Sequence, residues 1–114
     1  MAIQTVTMRN ALATAYGTNA AYGAVYTTAP GASAGTEPTG GSPAYARKAL
    51  TWSAASNSAV TVAPVFDVPS GATIVGAGVH TAVTAGTYLD GTSVTSQAFS
   101  SQGTFTVTFT YTQS

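Results

Sequence analysis

The chain has 114 residues, three basic and three acidic side chains, one histidine, no cysteine, and a formal net charge of zero at pH 7. Charged residues are 5% of it, against about 25% in an ordinary soluble domain. That composition excludes disulfide and thiol chemistry, leaves too few cations to neutralise a run of phosphates or an anionic membrane, and offers little acid–base apparatus for catalysis.

The opening Met1-Ala2-Ile3-Gln4-Thr5 shows no basic stretch leading into an apolar run, so no secretory leader is read there. From about Thr7 to Tyr16, Met8, Leu12 and Tyr16 recur at four-residue spacing with alanines between them, which predicts a short helix. Gly17 stands where its C-terminal cap belongs. Residues 28–43 are rich in Gly, Pro, Ser and Thr without apolar periodicity, and predict a long loop. A strand from Tyr45 to Ser53 would turn Leu50 and Trp52 to one side and Tyr45, Arg47 and Thr51 to the other. Val60, Val62 and Phe66 share a face in the next, where Pro64 requires an edge position or a bulge. Val68-Pro69-Ser70-Gly71 has the order of a type I turn. Ile74 to Thr81 follows as a strand whose Gly76 and Gly78 imply a bulge or a close neighbouring backbone. Thr84-Ala85-Gly86 reads as a short hairpin loop, Asp90-Gly91 as the next turn, and Val94 to Phe99 as a shorter strand. In the last strand Phe105, Val107, Phe109 and Tyr111 alternate with Thr104, Thr106, Thr108, Thr110 and Thr112, so one face is aromatic and the other a threonine ladder.

Six or seven short strands behind one N-terminal helix predict a mostly β fold, an antiparallel β-sandwich or jelly-roll-like domain. Neither side of the loop at 28–43 has enough apolar residues for a core of its own, so residues 1–114 are read as one domain. No apolar run approaches the roughly 20 residues of a membrane-spanning helix.

The chemical motifs are sparse. Asp67, His80 and a serine would supply the residue types of a hydrolytic triad, but Gly91-Thr92-Ser93-Val94-Thr95 lacks the last glycine of a nucleophile elbow. Asp90-Gly91-Thr92 has its glycine and threonine in the wrong order for an aspartic protease. One histidine is too few for a closed zinc site, Glu37, Asp67 and Asp90 follow no calcium-loop spacing, and Gly76-Ala77-Gly78 lacks the third glycine of a dinucleotide fingerprint. No catalytic residue, metal or cofactor is assigned, and the chain is read as a non-enzyme. Its 21 threonines and 11 serines carry the polar surface instead. Arg47 and Lys48, adjacent on a strand, point to opposite faces; either one of them meets an acidic partner subunit or they pair within the domain, for instance Arg47 with Glu37 across the base of the long loop. The interface candidates are Glu37, Tyr45, Arg47, Thr106, Thr108 and Thr110. An uncharged terminal strand is also poorly protected against edge-to-edge pairing with a neighbour. Tyr16, Tyr22, Tyr26, Tyr45, Tyr88 and Trp52 would suit either packing or a sugar-stacking platform.

From Tyr22 onward the order of features resembles a family of small virion proteins of tailed bacteriophages, of the tail-fibre, minor tail or capsid decoration type. The resemblance is carried by Ala21-Tyr22, Val25-Tyr26-Thr27 and Pro30-Gly31, then by the stretch from Glu37-Pro38-Thr39-Gly40-Gly41 to Leu50-Thr51-Trp52, then by Phe66-Asp67-Val68-Pro69-Ser70-Gly71-Ala72-Thr73. It departs from that pattern at His80, where an aromatic is usual, and at Tyr26, where histidine is. The resemblance implies a structural protein of the virion, assembled in the host cytoplasm, that decorates or stabilises the capsid as repeated copies. Its partners would be major capsid or tail proteins and copies of itself, with no nucleic acid or membrane. A tail-fibre or tail-tip module that binds a host-surface glycan is the alternative.

Overall fold

Thr5 starts the helix by capping it. In the computed structural model, which describes residues 3–114, its hydroxyl accepts from the Met8 N–H at 3.3 Å at the head of α1 (Val6–Asn19). The helix runs past Gly17, which is not its cap. A Cβ at that position would lie 3.1 Å from Trp52 Cγ, so the missing side chain makes room for the indole. Ala20 closes the helix, donating its N–H to the Tyr16 carbonyl at 2.9 Å. Of the Met8, Leu12 and Tyr16 stripe only Tyr16 turns onto the domain, while Met8 and Leu12 are exposed, together with Val6. The helix docks through a small and polar face, with Ala13 buried, Arg9 Nε donating to Ser58 Oγ at 2.9 Å and Asn10 Oδ1 accepting from the Ser58 N–H at 2.8 Å.

The strands are β1 (Tyr22–Tyr26), β2 (Lys48–Ala49), β3 (Ala59–Val62), β4 (Val65–Val68), β5 (Thr73–His80), β6 (Tyr88–Ala98), β7 (Gly103–Thr106) and β8 (Phe109–Thr112). All pair antiparallel, so the chain is mostly β with one short helix, as expected. One sheet has the order β2-β1-β5-β6, while β3 pairs with β8 and β4 with β7. Those last two pairs are one interrupted ribbon. Ala59 faces Thr112, Val62 faces Phe109, Val65 faces Thr106 and Val68 faces Gly103, so the register does not change across the break. The break is at Pro64, which has no N–H to give, although its carbonyl still accepts from the Val107 N–H at 3.1 Å. The predicted single terminal strand is therefore two, yet its alternation survives: Thr104, Thr106, Thr108, Thr110 and Thr112 are exposed, while Val107 is buried and Phe105, Phe109 and Tyr111 are partly covered.

The ribbon lays its apolar face on the sheet. Val25, Ile74 and Ala77 from the sheet meet Phe66, Val68 and Val107 from the ribbon in one buried cluster, where each fully buried large side chain contributes about 1.5–3 kcal/mol. The strand expected from Tyr45 to Ser53 shrinks to β2, because the chain crosses there from one layer to the other. The Leu50 N–H still bonds to the Ala21 carbonyl at 2.9 Å beside β1, and the Ser53 N–H to the Thr61 carbonyl at 2.9 Å beside β3. Two turn assignments also change. The turn at Pro69 closes between the Pro69 carbonyl and the Ala72 N–H at 3.3 Å with Gly71 at φ +86°, a third-position glycine in the left-handed region that type II requires. Asp90-Gly91 is no turn but the middle of β6, where Gly91 faces Gly78 across the ladder. A Cβ on Gly91 would lie 2.5 Å from the Tyr88 hydroxyl, so this glycine provides space. Between the pairs Ile74/Gln97 and Gly76/Ser93 the ladder slips, an irregularity that keeps β6 continuous through the expected Val94–Phe99 strand.

Candidate functional site

The other face of the sheet carries Tyr26, Gly76, Gly78 and His80, and the long loop folds over it. Pro30 lies against Gly76, Tyr26 reaches over Gly78, and the Thr27 N–H holds the far end of the loop through the Thr36 carbonyl at 2.7 Å. Tyr26 is fully buried, with its hydroxyl 2.6 Å from His80 Nε2. Burial, then the Arg47 charge, hold the His80 imidazolium off and its pKa below the ordinary value. Burial raises the Tyr26 phenol, with the Glu37 charge adding to it. The two departures from the resembled pattern are thus bonded to each other.

Arg47 fastens the base of the loop. Its Nη2 donates to Glu37 Oε2 at 2.8 Å and its Nε to Oε1 at 3.0 Å, while Nη1 donates to the carbonyls of Ala82 at 2.9 Å and Ala85 at 2.8 Å in the β5–β6 turn. The Tyr45 hydroxyl donates to Glu37 Oε1 at 2.8 Å and accepts from the Val25 N–H at 3.2 Å. Burial pushes the Glu37 carboxyl up, but the Arg47 and Tyr45 bonds and the Arg47 charge outweigh it, and the net shift is downward. The expected Glu37–Arg47 pair is therefore present. Lys48, turned the other way, meets Asp67 at 3.2 Å on β4, so Asp67 serves an ion pair and not a turn. The pieces of a triad are apart in bonding: Asp67 is held by Lys48 and His80 by Tyr26.

Where ribbon and sheet diverge, an aromatic-walled cleft of about 350 Å³ opens. Ala77, Val79, Asp90 and Thr92 of β5 and β6 line one side and Phe109 and Tyr111 of β8 the other. Tyr16 and Trp52 complete it from the helix and the crossing segment. Tyr16 stacks on Tyr111 with centroids 3.9 Å apart and planes 5° off parallel, and meets Trp52 edge-on at 5.8 Å. The Trp52 indole is fixed by its Nε1 donating to the Ala20 carbonyl at 2.8 Å. The Tyr16 hydroxyl donates to Asp90 Oδ2 at 3.0 Å, and burial with that bond raises the phenol's pKa.

Of the interface candidates, Glu37, Tyr45 and Arg47 form one bonded cluster whose hydrogen bonds are made inside the protomer. Thr106, Thr108 and Thr110 are exposed on the outward face of the ribbon, and no hydrogen bond joins them to that cluster among the described residues. Of the aromatic set, Tyr16 and Trp52 come together at the cleft, where Tyr111 and Asp90 join them, while Tyr26 and Tyr88 meet edge-on on the other face of the sheet. In the sequence Asp90 reads as a turn residue, because Asp-Gly is so strong a turn signal and its partner Tyr16 is 74 residues away. No family model, curated protein or solved structure matches this chain, which leaves its side chains and surfaces as the guide to its role.

Proposed function

We propose that the protein is a structural subunit of a bacteriophage virion, a small β domain repeated on the particle and decorating or stabilising the capsid. One observation carries this reading: the cations of the described residues are all engaged within the protomer, Arg47 by Glu37, Lys48 by Asp67, and Arg9 by Ser58 Oγ and the Ile3 carbonyl. The faces left outward are threonine-rich or apolar. β7 and β8 each pair on one side only, which leaves a strand edge without charge or proline. Val6, Met8 and Leu12 stand exposed on the helix. Such surfaces can be covered by neighbouring subunits without stranding a buried charge, and symmetry multiplies each modest contact. The sequence resemblance supports the same class.

Capsids stripped of tails test the reading. Quantitative mass spectrometry should find the chain retained in many copies per particle; its absence from tail-free capsids rejects the decoration role. The aromatic cleft favours a second reading, a tail-fibre or tail-tip module that touches a host-surface glycan. That reading predicts few copies per particle and glycan-array binding that Trp52→Ala abolishes.

A further inference from the structure

The carboxylates of the chain keep unequal company. Glu37 faces Arg47 and Asp67 faces Lys48, whereas Asp90 has no cationic partner among the described residues. It stands on β6 opposite Val79, exposed at the aromatic-walled cleft. Tyr16 donates to its Oδ2 at 3.0 Å and the Gly91 N–H to its Oδ1 at 2.9 Å. Those bonds orient the carboxylate and leave its negative charge unneutralised, with lone pairs still free.

We infer that this cleft binds an N-methylated ammonium group, of the trimethylammonium type that choline carries. Three features of the lining select it. Asp90 supplies the opposing charge. Tyr16, Trp52 and Tyr111 form the aromatic wall; Tyr16 and Tyr111 cover one face of each other, and the ring surface left toward the cleft attracts a cation. Ala77, Val79 and Val94 supply apolar surface, which suits methyl groups, beside the hydroxyl-bearing Thr92, Thr108 and Thr110. The opening of about 350 Å³ falls within the span of small-ligand clefts, about 300–1,000 Å³. A neutral sugar would meet the same rings and donate hydroxyls to Asp90, but would leave its charge uncompensated. The site does not depend on where the chain sits in a particle.

Trp52 is the single tryptophan of the chain and lines the cleft, so its fluorescence reports occupancy. The full chain is titrated with choline at constant ionic strength, beside 3,3-dimethylbutan-1-ol, which has the same shape without the charge. A saturable response to choline is expected, with the neutral alcohol binding about fivefold more weakly, the upper scale of an exposed charge pair. Asp90→Asn keeps one acceptor oxygen, enough for Tyr16 but not for the Gly91 N–H as well, and should weaken choline by a similar factor. No saturable response to choline, equal binding of the neutral alcohol, or undiminished choline binding by a folded Asp90→Asn chain would each overturn the inference. The comparison of the two ligands on the unaltered protein holds whatever becomes of the variant.

Discussion

Arg47 reaches the long loop through Glu37 and the β5–β6 turn through two carbonyls, so one guanidinium fastens three segments. Two titrating groups beside it set the response to acid. His80 resists protonation in the fold, so the unfolded chain takes up a proton near pH 6.5 that the folded one refuses, and stability declines as the pH falls below about 6.5. Glu37 has a lowered pKa, so its contribution is complete above its unfolded value of about 4.5 and is lost as the pH falls through the folded one. Melting temperature should therefore be steady from about pH 8 to 6.5, fall below that, and fall again in stronger acid. His80→Gln should remove the first decline and keep the second; a first decline that persists in that variant assigns it to another group. At this scale the sequence was legible where choices were few. With three cations and three carboxylates, Glu37–Arg47 follows from chain proximity, but nothing local joins Asp90 to an aromatic ring on the helix.

Close approach governs the elements. Gly76 lets Pro30 lie on β5, and a methyl there would overlap the proline ring, so Gly76→Ala should lower stability by about 1–3 kcal/mol in urea denaturation. It should also speed proteolysis within residues 28–43. Gly31→Ala, with open space around its position, serves as the control and should leave both unchanged. A Gly76→Ala chain as stable and protease-resistant as its parent would show that the loop does not depend on this contact. The sequence spoke clearly for Gly76 and Gly78 as points of close packing, and for the alternation from Phe105 to Tyr111. It was silent on the break between β7 and β8, because the cause is Pro64 in the partner strand. It misled at Gly17 and at Met8–Leu12: the first has the look of a cap and is a seat for Trp52, while the second has the look of a core stripe and faces outward. In each case a partner remote in sequence overrode a local pattern.

The whole molecule measures 48 × 24 × 23 Å, elongated, with the threonine row and the Met8–Leu12 stripe as separate uncharged surfaces. If the row is a contact surface, Thr106→Lys with Thr110→Lys should abolish self-association or particle binding in sedimentation, while folding stability falls by no more than about 1 kcal/mol, the scale of the Thr61–Thr110 hydroxyl bond that the second change removes. Leu12→Lys tests the helix surface in the same way, and the variant that loses binding identifies the contact. Unchanged sedimentation in both removes both surfaces from consideration. From Gly91 to Ser114 the sequence has no Asp, Glu, Lys, Arg or His, and the outward threonines lie within that stretch. The nearest charges are Asp67, opposite Thr104 across the ladder, and its partner Lys48, so a contact through Thr106 to Thr112 gives salt and acid little to act on. His80 and Glu37, whose titration the fold shifts, lie under and at the base of the long loop and not in that row, so acidification would act on such a subunit by weakening its fold, and detachment would accompany denaturation.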